Sequence, residues 1–319
     1  MDLRVLGRTG LSISPVVFGG NVFGWTADEK ISFDLLDKFF DAGFDTIDTA
    51  DCYSGWVPGN AGGESETIIG KWLKQSGRAR DKAVIITKVG STPQGSAMEK
   101  GLAGARIIDA VESSLKRLQT DYIDLYLSHW PDPQTPHEET LAAFAKLKQQ
   151  GKIRAIGCSN FNAEQLKASF EAAEKAGLPR YDVLEPEYNL YDRSGFDGPL
   201  ADLCNAQDIG VITYFSLASG FLTGKYKSKA EAEANPNRGG MVARYFDERG
   251  TRILAALDEV AAETHSQPAS VALAWIAQRP GVTAPIASAT SARQLDTLIA
   301  AGNLTLTSNQ MALLNDASA

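Results

Sequence analysis

The sequence is poor in cysteine, in histidine and in long apolar runs. It holds three cysteines and three histidines among 319 residues. Cys52, Cys158 and Cys204 have no metal-ligand spacing and cannot all pair with one another, so neither a zinc-stabilised nor a disulfide-stabilised fold is expected. No apolar stretch approaches the ~20 residues that a membrane-spanning helix needs. These shortages favour a protein of a reducing compartment, and they predict no metal site.

Positive charge is also in short supply. Lysine and arginine number 31 against 39 acidic residues, the formal net charge is −8, and no dense basic run occurs. A protein with this charge is not expected to bind nucleic acid. The stretch from Met1 to Arg4 lacks a basic segment followed by an apolar run, so no export signal is expected. We predict a cytoplasmic protein, a monomer or weak homo-oligomer, without a nucleic-acid or membrane partner.

What the sequence does contain is a regular alternation of short apolar segments and helical patterns. Apolar residues make up 44% of the chain, which is ample for a large core. Eight segments predict buried strands: Val16–Gly19, Thr46–Asp48, Ala83–Lys88, Ile123–Ser128, Ile153–Ser159, Val183–Glu187, Val211–Tyr214 and Val282–Ile286. Helices are predicted over Asp28–Ala42, Glu64–Gln75, Ala105–Leu118, Glu138–Gln150, Ala163–Ala176, Gly198–Gln207, Arg252–Thr264, Ser270–Gln278, Ala292–Ala301 and Gln310–Asn315. Such alternation predicts parallel strands with helical crossovers.

Eight strand–helix repeats fit a closed (β/α)8 TIM barrel, which commonly runs to about 250 residues as one domain. We therefore predict one barrel domain over residues 1–319. A preceding β-hairpin, with strands at Leu3–Leu6 and Leu11–Ser14, would plug the N-terminal end of the barrel. The main alternative is an open doubly wound sheet with an early glycine-rich dinucleotide turn. The stretch Gly19–Gly24 lacks the spacing of that turn, so the barrel is favoured.

Catalytic residues of (β/α)8 barrels lie at the C-terminal ends of the strands. At these ends the sequence places Asp48, Tyr53, Lys88 and His129. Each has a structural interpretation of its own, because Asp48 could cap a turn and His129 could be a packed loop residue. Lys88 ends an apolar strand, so its ammonium must reach solvent or meet a carboxylate. Together, at three neighbouring strand ends, the four side chains predict an active site.

The residue types indicate proton transfer to a carbonyl oxygen. A tyrosine hydroxyl, with a reference pKa of ~10, suits proton donation to an alkoxide. Lys88 would stabilise the phenolate, and Asp48 would keep the lysine charged and oriented. His129 would donate a second hydrogen bond to the carbonyl oxygen. None of these four side chains can supply a hydride, so a cofactor is required.

Six stretches of the sequence resemble the aldo-keto reductase superfamily in their order along the chain. They are Asp-Thr-Ala-Asp-Cys-Tyr (48–53), Ile-Ile-Thr-Lys (85–88), Asp-Leu-Tyr-Leu-Ser-His-Trp-Pro-Asp (124–132), Ile-Gly-Cys-Ser-Asn-Phe (156–161), Glu-Tyr-Asn-Leu-Tyr-Asp-Arg (187–193) and Leu-Thr-Gly-Lys-Tyr (222–226). The resemblance implies a carbonyl reductase or alcohol dehydrogenase that uses NADP(H), with NAD(H) as an alternative, and acts on an aldehyde, ketone or aldose. It assigns the catalytic tetrad to Asp48, Tyr53, Lys88 and His129.

The resemblance also implies a cofactor site without a Rossmann fold. Ser159 and Asn160 match positions that hold the nicotinamide carboxamide, and Tyr214 matches an aromatic residue that stacks on the nicotinamide. The loop Leu217–Lys225 would wrap the pyrophosphate, and Ser288, Thr290 and Arg293 would hold the 2′-phosphate. The full set of implied cofactor contacts is Gly20, Asn21, Asp48, Ser159, Asn160, Glu185, Tyr214, Phe215, Ser216, Leu217, Ser219, Gly220, Leu222, Lys225, Ser288, Thr290, Arg293, Asp296 and Thr297.

Three residues depart from the pattern of this family. Glu185 stands where relatives commonly carry a glutamine that contacts the carboxamide, and an ionised carboxylate can only accept hydrogen bonds. It would either attract the cationic ring of the oxidised cofactor or pair with a local cation. Ala287 stands where some relatives place a phosphate-binding lysine, and Thr297 where many have an asparagine. These departures weaken the assignment of NADP.

The substrate is less well defined by the sequence. Trp25, Trp56 and Trp130 fall in loops at the expected mouth of the barrel, where they would line the substrate site with Tyr53 and His129 and stack on a sugar or an apolar aldehyde. The short tail after Asn315 predicts an open pocket. Two other functions stay open: a Schiff-base aldolase using Lys88, and a cofactor-holding regulatory subunit of a potassium channel with little turnover.

Overall fold

Eight parallel strands close into a barrel in the computed structural model, which describes residues 2–92, 101–235 and 239–319. Each strand pairs with the next along the chain, and the last pairs with the first. The barrel strands are β3 (Val17–Gly19), β4 (Thr46–Asp48), β5 (Val84–Val89), β6 (Ile123–Ser128), β7 (Ile153–Ser159), β8 (Val183–Glu185), β9 (Gly210–Thr213) and β10 (Ala284–Ala287). The (β/α)8 barrel predicted from the alternation of strands and helices is confirmed.

Helices connect successive strands and surround the barrel. Within the described residues they are α1 (Glu29–Asp41), α2 (Glu64–Gln75), α3 (Gly104–Leu118), α4 (His137–Gln149), α5 (Ala163–Ala176), α6 (Pro199–Ala206), α7 (Lys229–Glu233), α8 (Gly239–Ala243), α9 (Glu248–Glu263), α10 (Pro268–Ala277), α11 (Ala292–Ala301) and α12 (Ser308–Ala317). None of the helices in these parts of the chain is long and apolar enough to cross a membrane.

Strand alternation divides the core into two layers. On β6, Leu125 and Leu127 point into the barrel, whereas Tyr126 between them packs against the surrounding helices. All three are fully buried, because the barrel interior covers one face of the strand and the helices cover the other. This explains why the strands read as continuous apolar runs in the sequence.

A two-stranded hairpin plugs the N-terminal end of the barrel, as predicted. Its strands, β1 (Arg4–Val5) and β2 (Ser12–Ile13), are shorter than expected. Side chains from the hairpin join the interior cluster of the barrel: Leu6, Leu11 and Ile13. Gly7 has a φ of +49°, and a Cβ on it would lie 2.3 Å from the backbone nitrogen of Gly210. Only glycine fits at this contact between the hairpin and β9.

The predicted boundaries of strands and helices differ from those of the structure in a few places, each for a local reason. Strand β8 stops at Glu185 because Pro186 has no N–H for the sheet ladder. Helix α9 begins at Glu248, before its predicted start at Arg252, because Asp247 caps it by accepting a hydrogen bond from the backbone N–H of Gly250. That glycine is required by close packing: a Cβ on it would lie 1.9 Å from the carbonyl oxygen of Tyr245. The long loop predicted after β9 contains the short helices α7 and α8, and part of it lies outside the described residues.

Candidate active site

The four side chains predicted to form an active site lie together at the C-terminal ends of β4, β5 and β6. Asp48 ends β4, Lys88 lies near the end of β5, and His129 follows β6. Tyr53 sits on the loop after β4, which hydrogen bonds hold to β5. Within that loop Thr49 donates to the carbonyl oxygen of Ile86 at 2.8 Å, and Asp51 donates to that of Lys88 at 3.2 Å. These bonds extend the β4–β5 ladder and fix the loop that carries Tyr53.

Lys88 is the hub of this cluster. Its side chain is fully buried, and its Nζ donates to Asp48 Oδ1 at 2.5 Å, to the backbone oxygen of Thr49 at 2.9 Å and to the hydroxyl of Tyr53 at 3.1 Å. These bonds use all three ammonium protons. The ammonium also lies 4.9 Å from the centre of the Tyr53 ring. Lys88 is therefore both anchored by a carboxylate and in direct contact with the tyrosine oxygen.

Protonation of the cluster follows from burial and from its charges. Burial by itself lowers the pKa of the Lys88 ammonium, but the neighbouring Asp48 and Glu185 carboxylates outweigh this and raise the pKa well above its ordinary value. Burial raises the pKa of the Tyr53 hydroxyl well above its usual range, against the opposing effect of Lys88. At neutral pH the cluster therefore holds a charged lysine and a protonated tyrosine.

Glu185 places a second carboxyl group on the same ammonium. Its Oε1 lies 3.3 Å from the Nζ of Lys88, and its side chain is almost completely buried. Burial and the nearby Asp48 raise the pKa of Glu185 to about 8, although Lys88 opposes the shift. The other oxygen, Oε2, is buried without a hydrogen-bond partner among the described residues. The sequence allowed for pairing with a local cation, but it did not identify Lys88 as the partner.

His129 lies beside a cysteine that the sequence analysis did not assign to the site. The Sγ of Cys52 and the Nδ1 of His129 are 3.7 Å apart, within hydrogen-bond distance for sulfur. Burial and the charge of Lys88 hold the pKa of His129 well below its usual range, so the imidazole is neutral. Ligand atoms of Asp51, Cys52 and His129 lie within 4.8 Å of one another. The sequence analysis predicted no metal site, because the three cysteines of the chain have no metal-ligand spacing, and it did not consider these three residues together.

A hydrogen-bonded chain joins the ends of β7, β8 and β9. The hydroxyl of Tyr214 donates to Asn160 Oδ1 at 2.6 Å, and Asn160 Nδ2 donates to the carbonyl oxygen of His129 at 2.9 Å and to Ser159 Oγ at 3.1 Å. Ser159 Oγ in turn donates to the carbonyl oxygen of Glu185 at 2.8 Å. Both amide protons of Asn160 are thus used within the protein. Asn160 can offer an incoming group only an acceptor.

The loop after β9 has an unusual backbone. Phe215, Ala218 and Ser219 have φ angles of +52°, +47° and +56°, and Gly220 follows at +101°. Left-handed conformations are uncommon for residues other than glycine, and such strain is typical of binding loops. The ammonium of Lys225 folds back over this loop, 3.5 Å from where a Cβ on Gly220 would lie. Ser216, Leu217 and Leu222 complete the segment, and Ser216 Oγ donates to the carbonyl oxygen of Thr213 at 2.9 Å.

The loop after β10 lies against the end of β3. Ser288 Oγ forms a short hydrogen bond to Asn21 Oδ1, and Gly20 has no room for a side chain, since a Cβ there would lie 2.9 Å from Ser65 Oγ. Thr290 is hydrogen-bonded to Gln294 in the first turn of α11. This arrangement brings the ends of the first and last barrel strands together.

Three further predicted residues occupy the first turns of α11. Arg293 is exposed, and no ion pair or side-chain hydrogen bond joins it to the rest of the described chain. Asp296 forms an ion pair with Lys38 at 2.5 Å, and Thr297 donates to the backbone oxygen of Arg293 at 3.2 Å. Of the three, Arg293 alone presents a charged group that is not engaged by another side chain within the described residues.

Aromatic rings surround Tyr53 at the mouth of the barrel. Trp25 and Trp56 meet edge to face with their centres 5.7 Å apart, and Trp56 lies 5.9 Å from the ring of Tyr53. The ring of Trp130 stacks on His129 at 6.4 Å. Trp56 and Trp130 are 43% and 47% exposed, which is unusually high for tryptophan. The three tryptophans predicted at the mouth are therefore brought around the polar cluster.

Fold and site together define a barrel enzyme with a tyrosine, a lysine and two carboxyl groups buried at its C-terminal mouth. A sequence model of the family described as "Aldo/keto reductase family" matches residues 15–319, and this chain belongs to that family. Membership makes it an oxidoreductase of the kind that acts on small-molecule carbonyl compounds with a nicotinamide cofactor. The resemblance read from the six sequence motifs is confirmed.

Curated relatives match over nearly the whole chain. The "Uncharacterized oxidoreductase YrpG" of Bacillus subtilis is 34% identical over 322 residues, covering 99% of this chain and 95% of the relative. The "Aldo-keto reductase YhdN" of the same organism is 33% identical over 324 residues, covering 99% and 93%. A "Probable voltage-gated potassium channel subunit beta" of rice, Oryza sativa, is 33% identical over 300 residues, covering 92% and 89%.

Proposed function

We propose that the protein is an NADP(H)-dependent enzyme that interconverts an aldehyde, ketone or aldose and the corresponding alcohol, with Tyr53 as the proton donor in reduction. The contact between the Lys88 ammonium and the hydroxyl of Tyr53, at 3.1 Å, carries this proposal. A tyrosine that must lose its proton needs a nearby cation to stabilise the phenolate. Asp48 keeps that cation in place from the opposite side.

Tyr53, Lys88 and His129 each have a separate role in proton transfer. Tyr53 holds its proton firmly at neutral pH, because burial raises the pKa of its hydroxyl. Transfer becomes favourable once the carbonyl oxygen gains negative charge, since an alkoxide is more basic than a phenolate. Lys88 then stabilises the phenolate, and His129 supplies a second donor to the developing oxyanion. The bound nicotinamide cofactor would supply or accept the hydride.

The residues present fit such a cofactor at two places. The buried Oε2 of Glu185 lacks a partner among the described residues, and a carboxamide could pair with it in either protonation state, because a carboxamide has both an N–H donor and a carbonyl acceptor. Lys225 lies beside the left-handed loop at 218–220 and offers a cation there, which suits the negative charge of a pyrophosphate. These features support the residues assigned to the nicotinamide and pyrophosphate.

The preference for NADP(H) is a finer proposal that depends on Arg293. This exposed arginine lies in the first turn of α11, where backbone N–H groups are unpaired and the helix dipole favours an anion. Ser291 caps the helix by accepting a hydrogen bond from the backbone N–H of Gln294. Together the helix end and the guanidinium would hold the 2′-phosphate.

The two other functions considered from the sequence are less well supported. A Schiff-base aldolase needs a neutral lysine, but the neighbouring carboxylates raise the pKa of Lys88 and all three of its protons are donated. The rice relative is named as a probable channel subunit, which gives the regulatory-subunit alternative only weak support. Turnover of a carbonyl substrate distinguishes the proposed enzyme from both alternatives.

A substrate panel tests the proposal directly. Purified protein would be mixed with NADPH and a series of apolar aldehydes, ketones and aldoses, and NADPH oxidation followed by absorbance. We expect at least one compound of the panel to be reduced, and the reaction to run in reverse with its alcohol and NADP⁺. Tight NADPH binding without turnover on any compound would favour a cofactor-holding subunit. A borohydride-trapped adduct on Lys88 would favour an aldolase.

A further inference from the structure

We propose that Cys52 is a positioning residue that fixes the tautomer of His129, so that the Nε2 of the imidazole carries the proton. The inference rests on the proposed function, in which His129 donates to the carbonyl oxygen of the substrate. Its basis is the 3.7 Å contact between Cys52 Sγ and His129 Nδ1. A neutral imidazole carries one proton, so a nitrogen that accepts from the thiol leaves the other nitrogen as the donor.

The protonation state of the thiol allows this hydrogen bond to run from the sulfur of Cys52 to the nitrogen of His129. Cys52 is 4% exposed, and burial together with the nearby Asp51 raises the pKa of its thiol to about 12. The thiol therefore keeps its proton at neutral pH. The S–H of Cys52 is then free to donate to His129.

The tautomer matters because a carbonyl oxygen can only accept a hydrogen bond. With the proton on Nε2, His129 offers that atom as a donor to a substrate oxygen. With the proton on Nδ1, Nε2 would present a lone pair to the substrate instead, and one donor to the developing oxyanion would be lost. In functional histidines, the tautomer is commonly fixed by the hydrogen bond that the second ring nitrogen makes. Here the partner is a thiol on the residue before Tyr53.

Asp51 lies near the same histidine but forms no hydrogen bond with it in the described part of the chain, and a cation could link the two. Its carboxylate, Cys52 and His129 come within 4.8 Å of one another, a grouping that a divalent metal could bridge. However, Arg106 already contacts Asp51 Oδ2 at 3.1 Å and partly neutralises its charge. The hydrogen bond from the thiol needs no further component, so it accounts for the cluster more simply. Measurements in the presence of EDTA would keep the thiol and imidazole free of metal.

Nuclear magnetic resonance can observe the tautomer directly. The chain has only three histidines, and the spectrum of a ¹⁵N-histidine-labelled protein contains few signals to assign. A His129→Gln variant identifies the signals of His129 by their loss. The chemical shifts of Nδ1 and Nε2 then show which nitrogen carries the proton in the wild type, in Cys52→Ala and in Cys52→Ser. Cys204→Ala serves as a matched control, because Cys204 is equally buried but lies on α6.

We expect the wild type and Cys204→Ala to hold the proton on Nε2. Cys52→Ala should give a mixture of tautomers and a loss of kcat of about twofold to tenfold, the effect of one weak hydrogen bond. Cofactor affinity should be unchanged, and Cys52→Ser, which keeps an O–H donor on a shorter bond, should lie between the two. Circular dichroism and thermal unfolding would show whether each variant is folded.

Two results would overturn the proposal. One is a wild-type His129 that carries its proton on Nδ1. The other is a folded Cys52→Ala variant whose His129 tautomer is unchanged. Neither result depends on enzymatic activity, so the failure of this inference is distinguishable from the failure of the proposed function. If the tautomer behaves as expected but no carbonyl compound is reduced, only the assigned reaction is wrong.

Discussion

The ammonium of Lys88 lies 3.3 Å from Glu185 Oε1, although the two residues come from strands β5 and β8 with two other strands between them. Asp48 lies at 2.5 Å from the same ammonium. One buried cation is thus shared by two carboxyl groups, whose mutual repulsion favours a proton on one of them. Burial raises the pKa of both carboxyl groups, and burial together with the charge of Asp48 raises that of Glu185 to about 8, so Glu185 gains and loses a proton near this pH.

Because of Glu185, the relative affinity of the protein for oxidised and reduced cofactor should depend on pH. Below about pH 8 its carboxyl is mainly neutral and, like a glutamine, offers both a donor and an acceptor. Above this pH the carboxylate attracts a ring that is cationic only in NADP⁺. Coulomb attraction at ~5 Å and an effective dielectric near 20 is roughly 3 kcal/mol. Lys88 cancels part of it, so we expect the affinity ratio to shift three- to tenfold toward NADP⁺ between pH 7 and pH 9.

Fluorescence titration of both redox forms at the two pH values would measure this shift. Glu185→Gln provides the comparison, because the amide keeps the shape of the side chain and cannot ionise. The affinity ratio of the variant should be the same at both pH values. A wild-type ratio that also stays constant would mean that Lys88 neutralises Glu185 completely.

The same carboxyl group should lower the stability of the protein as the pH rises. Unfolded, Glu185 would lose its proton near its reference pKa of 4.5, whereas in the folded protein it keeps the proton to about pH 8. Between these values the unfolded chain binds fewer protons, so the free energy of unfolding falls as the pH rises, by up to about 1.4 kcal/mol per unit. Glu185→Gln removes this dependence, and its stability relative to wild type should increase from pH 5 to pH 8.

Urea denaturation at pH 5 and pH 8 tests this prediction. The control is Glu164→Gln, which makes the same chemical change at an exposed position in the first turn of α5. Its stability relative to wild type should vary little between the two pH values. If Glu185→Gln behaves in the same way as this control, the pKa of Glu185 is not raised in the folded protein.

Tyr53→Phe should abolish most of the reduction while leaving the cofactor bound. The substitution removes the hydroxyl that Lys88 contacts at 3.1 Å and keeps the aromatic ring beside Trp56. Loss of a general acid typically costs about 10²–10⁴-fold in rate. Steady-state kinetics and NADPH titration would separate the two effects. Tyr122→Phe, which removes a hydroxyl just before β6, is the matched control; equal activity of both variants would exclude Tyr53 as the proton donor.

Arg293→Ala should weaken NADPH far more than NADH. The guanidinium has no partner among the described residues, so its loss disturbs no ion pair there. A charge-assisted bond is worth roughly 1.5–3 kcal/mol, which corresponds to a tenfold to hundredfold change in the Kd for NADPH. Arg252→Ala, which removes an exposed arginine of α9, should change neither affinity. Similar losses for NADPH and NADH in Arg293→Ala would place the 2′-phosphate elsewhere.

Much of the site could be predicted because its residues lie at equivalent positions of a repeating fold. Asp48, Lys88 and His129 fall at strand ends, and the barrel brings all strand ends to one mouth. The order of the strands alone therefore predicted that these three residues lie close together. The distances within the cluster, and the contact of Lys88 with the hydroxyl of Tyr53, required the structure.

Contacts across the barrel could not be predicted in this way. The pairing of Glu185 with Lys88 depends on side-chain directions on two strands that are not adjacent, and no local pattern encodes it. The contact of Cys52 with His129 could not be predicted, because a lone cysteine beside a tyrosine is typical of ordinary core packing. Arg293 and Asp296 were both predicted to contact the cofactor, yet of the two only Asp296 is paired within the described residues, with a lysine from α1. In each case the missing information was which side chains the barrel brings face to face.

The hairpin at the N-terminal end has a consequence for exchange with solvent. With Leu6, Leu11 and Ile13 filling the bottom of the barrel, the buried cluster around Lys88 has no exit on that side. In the described part of the chain, Tyr53 is reached from the opposite end, through the mouth lined by Trp25, Trp56 and Trp130. We therefore expect the proton that Tyr53 gives up in one cycle to be replaced through the same mouth by which the product leaves. Occupancy of the mouth therefore controls both the supply of substrate and the return of the enzyme to its protonated form.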